Sequence, residues 1–197
     1  MRRGRDREGP GRANSFNIDP RHRGSESWVN GAGVTGLFNA KGEQVSEVKP
    51  RSCNFAVWWD GDLLREILDK NTIAKWNWRE SVLDTLLVSD VCTSNNGTKS
   101  TPALSADILG DWREEVIWRT RDNQELRIYT TTVPTQHRFR TFMHDPVYRL
   151  GIAWQNVAYN QPPHTGFYVG EDMERPPRHS IMTPVYGNTG EGSSHGR

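Results

Sequence analysis

The stretch Ala106-Asp-Ile-Leu-Gly-Asp-Trp-Arg-Glu-Glu-Val-Ile-Trp118 decides the fold, because it reads as an acidic loop running straight into a strand. Asp107, Asp111 and Glu115 recur at every fourth position, and Gly110 relaxes the backbone between the first two. Hard oxygen ligands on a Gly-containing loop are what Ca2+ prefers. Val116, Ile117 and Trp118 are β-branched or aromatic, the composition of a strand. The competing reading is an amphipathic helix whose i, i+4 carboxylates form a solvated stripe. Gly110 inside the run and the strand formers after it favour the loop.

Two other segments repeat this plan of acidic loop, Glu and apolar residues. They are Asn17-Ile-Asp-Pro-Arg-His-Arg-Gly-Ser-Glu-Ser-Trp28 and Trp58-Trp-Asp-Gly-Asp-Leu-Leu-Arg-Glu-Ile-Leu68. Aligned on Glu26, Glu66 and Glu115, the repeats lie 40 and 49 residues apart. Short strand candidates fall between them at Asn54–Trp58, Thr72–Trp78, Thr85–Val88 and Glu125–Thr131, and Lys41-Gly42 suits a hairpin turn. In the last strand, Leu126, Ile128 and Thr130 alternate with Glu125, Arg127 and Tyr129, the period-two pattern of a half-buried strand. Repeats of about 40–50 residues holding several short strands are the signature of β-propeller blades. The expectation is therefore an all-β chain forming a partial propeller of about three to four blades, with an open edge on each side.

Composition narrows the function. The 197 residues carry 25 basic and 24 acidic side chains, so charge gives no case for nucleic acid or an anionic membrane. No apolar run approaches the roughly 20 residues of a membrane span. The start, Met1-Arg-Arg-Gly-Arg, has no hydrophobic stretch behind it, so it does not read as a secretory signal. Eight tryptophans suit both a β core and sugar-binding platforms. Cys53 and Cys92 could pair or stay free. Asn96-Gly97-Thr98 fits the glycosylation triplet. Residues 1–14 read as a disordered leader, 15–175 as the folded part, and 176–197 as a disordered tail.

Residues from about 15 to 175 resemble the C-terminal part of the rhamnogalacturonan lyases of polysaccharide lyase family 11. The resemblance rests on Asn17-Ile-Asp-Pro20, Trp58–Glu66, Asn96-Gly-Thr-Lys-Ser-Thr-Pro102, Asp107–Trp118, His144-Asp-Pro-Val-Tyr-Arg149 and the long segment Trp154–Tyr168. It implies an eight-bladed propeller holding several Ca2+ ions, secreted, monomeric when full length, and cleaving the rhamnose–galacturonate backbone of pectin by β-elimination. The family's chains are roughly three times as long. The Arg-rich leader lacks the resemblance, and Asn17 stands where the family carries Asp.

β-Elimination on a uronate requires a neutralised carboxylate, a base for the C5 proton and stabilisation of the leaving oxygen. The resemblance raises Lys99 and Tyr159 to catalytic candidates that also contact substrate. His144 and His164 join them as substrate contacts, since His titrates nearest neutral pH. Arg21 lies in the first acidic loop and could meet a uronate. The expected calcium ligands are Asp107, Asp111 and Glu115; then Asp60, Asp62 and Glu66; then Asp19 and Glu26, with Arg65 and Arg113 placed to orient the nearby Glu. The alternatives are a non-catalytic, calcium-dependent carbohydrate-binding module and an inactive gene fragment.

Overall fold

The computed structural model describes residues 11–31, 33–157, 160–176, 178–180 and 182. Twelve strands among them form three antiparallel, four-stranded sheets. The first contains β1 (Arg12–Phe16), β2 (Glu26–Asn30), β3 (Leu37–Phe38) and β4 (Gln44–Ser46), paired in chain order. The second contains β5 (Phe55–Val57), β6 (Glu66–Asp69), β7 (Thr72–Asn77) and β8 (Val82–Val88), again in order. The third contains β9 (Cys92–Thr93), β10 (Leu104–Ala106), β11 (Glu115–Thr120) and β12 (Leu126–Tyr129). Here β9 and β10 both pair with β11, on the side away from β12. The chain between β9 and β10 leaves the sheet as a loop.

The sheets stack face to face. Phe16, Trp28 and Leu37 of the first pack against Ala56, Ile67 and Trp76 of the second. The opposite face of the second sheet, through Phe55, Val57, Leu68 and Ile73, meets Cys92, Val116 and Trp118 of the third. Ile67 and Leu68 are adjacent and point to opposite cores, as the period of two requires. The middle sheet is thus covered on both sides, which explains why Glu66-Ile-Leu68 reads as an unbroken buried run. A third cluster of Trp58, Leu63, Trp112, Phe142, Tyr148 and Val169 closes the loop end.

This arrangement corrects the expected propeller. Three open sheets stack through their faces, and no ring is closed among the described residues. The repeat spacing measured the size of a four-stranded unit, which many all-β arrangements share, and not how the units are disposed. The strand expectations otherwise land on β5, β7, β8 and β12. In β12 it is the aromatic residue that turns inward. Leu126 and Ile128 are 66% and 61% exposed, whereas the Tyr129 ring packs on Trp118 at 5.0 Å. The large aromatic surface of Tyr129 wins the inward side. Gly42 sits at φ 79° in the β3–β4 turn, with Asn39 accepting the amides of Lys41 and Glu43.

One element was not anticipated: α1 (Pro146–Trp154), preceded by a 3-10 turn at Phe142–His144. Its start signal is in the sequence. Asp145 caps the helix by accepting the Val147 amide at 3.1 Å, and Pro146 takes the first helical position. Both Cys53 and Cys92 are buried free thiols.

Candidate active site and acidic loops

The three glutamates play one structural part. Each opens a strand and pairs with the last residue of the strand before it: Glu26 with Phe16, Glu66 with Val57, Glu115 with Ala106. Each is buried, and its Oε2 accepts two successive loop amides. Glu26 takes Ile18 and Asp19, both at 3.0 Å. Glu66 takes Trp59 and Asp60 at 2.8 and 3.4 Å. Glu115 takes Ile108 and Leu109 at 2.8 and 2.9 Å. Each such bond contributes about 0.5–1.5 kcal/mol net, and two on one oxygen set the loop entry.

The other carboxylate oxygens divide the loops. In the second, the Lys75 ammonium lies 2.5 Å from Asp60, 2.7 Å from Asp62 and 3.0 Å from Glu66. Among the described residues, only this trio brings three carboxylate oxygens within 4.8 Å of one another. Burial opposes the Lys75 charge, but Glu66, Asp60 and Asp62 outweigh it and raise its pKa. Burial pushes Glu66 up to about 8 even with that partner. The same three carboxylates could hold a Ca2+ ion, which would have to displace the Lys75 ammonium between them.

The first and third loops differ. Asp19 is held below the usual carboxylate range because Arg21, 2.6 Å away, outweighs burial. Glu26 Oε1 and Asn17 Oδ1 are buried without a partner among the described residues. Burial, with Asp19 adding to it, pushes Glu26 up to about 7. In the third loop Asp111 pairs with Arg113 at 2.6 Å, Glu115 Oε1 accepts from Thr130 at 3.1 Å, and Asp107 Oδ2 accepts the Phe142 amide at 2.7 Å. Asp107 Oδ1 is buried and unpartnered. Burial and then the Asp111 charge raise Asp107 and Glu115. A cation would satisfy the orphaned oxygens of Glu26 and Asp107, so both loops fit the ion that the family implies.

Lys99 sits at the other end of the sheets, on the loop between β9 and β10. That loop is fixed by its own amides: Asn96 accepts the Lys99 N–H at 2.8 Å and donates to Thr101 at 3.0 Å, while the Asn95 amide donates to the Thr101 carbonyl at 2.8 Å. Lys99 lines a groove of about 610 Å³ together with Arg12, Arg51, Lys70, Asn54 and Asp69. Arg12 is anchored there by donating to Asn54 at 3.0 Å and to the Asn160 carbonyl, and Asn54 donates to Asp69 at 2.8 Å. Burial lowers the Arg12 pKa, against an opposing pull from Cys53.

The other candidates are dispersed. Arg21 is held on Asp19, with its guanidinium 4.7 Å from the Trp78 ring. His164 stacks on Phe16 at 5.6 Å but keeps part of its surface open to solvent; the desolvation of the stacked face, helped by Arg65, lowers its pKa. His144 lines a separate cavity beside α1. Tyr159 lies outside the described residues. Arg65 orients Glu114 rather than Glu66: it is buried, 3.3 Å from Glu114, and its guanidinium lies over Trp58 at 4.1 Å. Arg12, Arg51 and Lys70 escaped the sequence reading. Extending the threefold alignment upstream, where each loop must follow a strand, would have marked Arg12 as the start of one.

The description "Rhamnogalacturonan lyase family 11, C-terminal domain" matches residues 3–179. The chain belongs to rhamnogalacturonan lyase family 11. It is 56% identical over 174 residues to the rhamnogalacturonan endolyase YesW of Bacillus subtilis (strain 168), covering 88% of this chain and 27% of that protein. It is 52% identical over 184 residues to the rhamnogalacturonan exolyase YesX of the same organism, covering 87% of this chain and 30% of that one. The crystal structure of YesW superposes with a TM-score of 0.84 at 55% identity, over 89% of this chain and 29% of that one. The chain therefore spans less than a third of the relatives' length. The family match starts at residue 3, and β1 starts at Arg12, so the family resemblance and the folded part both reach into the stretch expected to be a leader.

Proposed function

We propose that this chain carries the Lys99 groove of a lyase that cleaves rhamnogalacturonan by β-elimination. The observation that supports it most is the clustering of Arg12, Arg51, Lys70 and Lys99 in one groove, on a chain of this family. Arg12 neutralises the uronate carboxylate, which acidifies the C5 proton; a guanidinium keeps its charge and cannot serve as the base. Of the side chains lining the groove that could accept a proton, Cys53 is buried and Asp69 is engaged by Asn54. Lys70 sits in the tight β6–β7 turn at φ 56°, whereas the Lys99 amide is pinned by Asn96. Lys99 is the proton acceptor. The C5–H electrons become the C4–C5 double bond as the C4–O bond breaks, and that oxygen leaves as an alkoxide that takes its proton from water. The groove's remaining cations stabilise the charge on it.

Calcium belongs in this reading as a structural ion. Asp107, Asp111 and Glu115 would hold one, and Asp19 with Glu26 another, where it would neutralise crowded carboxylates. The unsaturated product absorbs ultraviolet light, so incubation with rhamnogalacturonan I is the direct test. Turnover that Lys99→Ala abolishes supports the proposal. Substrate binding without turnover, in this chain and in one extended to the relatives' length, would leave a carbohydrate-binding module instead.

A further inference from the structure

A second cationic cavity lies away from the Lys99 groove and is claimed by none of the chemistry above. Its volume is about 560 Å³, within the range of small-molecule sites. It is lined by Arg138 and Arg140 from the strand-free segment before α1, and by Arg175 and Arg178 from the C-terminal segment. It shares no lining residue with the Lys99 groove. The two sit at opposite ends of β11. Phe142, beside the cavity, donates to Asp107 ahead of Glu115, whereas Arg119 donates to the Lys99 loop at Ser94. The six residues of β11 put about 17 Å between those ends.

The charge of this cavity is not matched from within. Most other arginines are committed: Arg21 to Asp19, Arg65 to Glu114, Arg113 to Asp111 and Arg127 to Glu125. None of the four cavity arginines makes a hydrogen bond or ion pair among the described residues. The one carboxylate in the lining is Asp145, already taken by the amides of Val147 and Gly166 and facing His179 at 3.7 Å. His144 also lines the wall, and its Nδ1 is buried without a partner. Two chain segments thus deliver four guanidiniums to one concavity, at a cost in mutual repulsion that a bound anion would relieve.

The lining also indicates which anion. Guanidinium forks match carboxylates and phosphates alike. Phe139 and Phe167 add ring faces to the same wall, useful to a sugar ring and useless to a small inorganic ion. We propose that this cavity is a second binding site for a carboxylated oligosaccharide, one that retains uronate polymer at the end of the sheets opposite to the Lys99 groove. The choice of a uronate over other organic acids rests on the proposed lyase reading; the anion site itself does not.

Calorimetric titration of the full chain with trigalacturonate tests it. Two classes of site are expected. Arg138→Gln/Arg140→Gln should weaken one at least tenfold and Lys99→Ala the other. Both arginines are exposed, so an unchanged circular dichroism spectrum would confirm that the double variant folds. Unaltered stoichiometry and affinity in the double variant would overturn the proposal. So would inorganic phosphate displacing the sugar from the Arg138-dependent site at equal concentration, which would mark a generic anion site. Absence of product from rhamnogalacturonan I would sink the lyase reading alone and leave this count of sites standing.

Discussion

Replacing Arg65 with Met should be among the most damaging single changes in the chain. The guanidinium is fully enclosed and donates to Glu114 at 3.3 Å, to the Ala56 carbonyl at 2.5 Å and to the Pro163 carbonyl at 3.2 Å. It lies over the rings of Trp58 at 4.1 Å and Phe16 at 5.0 Å. Met restores most of the volume and the apolar contacts but leaves Glu114, itself buried, without its counter-charge. Breaking a buried pair from one side costs about 3–5 kcal/mol. Losing the ring contacts adds up to about 2 kcal/mol when desolvated. Domains of this kind hold roughly 5–15 kcal/mol in all, so the variant should stand near the edge of folding. The informative comparison is Arg65→Met/Glu114→Gln. A neutral amide can still accept the Trp58 N–H through its oxygen and donate through its NH2 to the Tyr148 hydroxyl oxygen, so the double variant should recover more than half of the loss. Urea midpoints at constant slope measure both. A single variant that loses under about 1 kcal/mol, or a double variant no more stable than the single, would refute the buried-charge reasoning.

Glu26 supplies a pH test. Its folded pKa of about 7 lies above its ordinary value of 4.5, so its contribution is complete below 4.5 and is lost as pH rises to about 7. That gap amounts to about 3 kcal/mol. Glu26→Gln should flatten the stability profile between those limits, leaving the slope due to Glu66; a profile as steep as the parent's would count against it. At Lys99, Arg keeps the charge but not the basicity, so Lys99→Arg should lose at least about a hundredfold in turnover, within the usual range for a general base, with little change in substrate binding; retained turnover would move Lys99 from base to carboxylate contact. Calcium should raise the melting temperature of the parent and of Asp60→Asn, and by less that of Asp107→Asn, which keeps only the Asp19–Glu26 site, as scanning calorimetry would register. An Asp60-dependent rise would mean that the ion displaces Lys75 after all.

The sequence announces local structure more plainly than assembly. The run from Asp107 to Trp118 yields its loop and strand directly, because Gly110 and the β-branched residues after Glu115 act within a few residues. The equivalence of Glu26, Glu66 and Glu115 is legible for the same reason. What the carboxylates bind is not. Lys75, nine residues beyond Glu66, reaches back only because β7 folds beside β6, and no spacing rule reveals that the most compact acidic trio already holds its cation. The disposition of the sheets depends on which face of Ile67 and Leu68 meets which neighbour, and alternation cannot say. The facing of β12 is hidden for the same reason, since Tyr129 can serve either side until Trp118 is placed. The Lys99 groove was half legible: its loop was, but Arg12 and Lys70 join it from strand ends far away in the chain.

The Glu clamps bridge six to eight residues, and each sheet pairs strands that are near neighbours in the chain. The ties between the first sheet and the end of the chain are of another order: Asn17 donates to the Val169 carbonyl across 152 residues, and Arg12 to Asn160 across 148. Local pairing forms early, and distant pairing waits on loop closure. During synthesis the first sheet must therefore exist for most of the chain's length with its clasp still unmade. A ribosome that stalls before Val169 leaves Asn17 without its distant acceptor, which makes that carbonyl a late checkpoint of assembly.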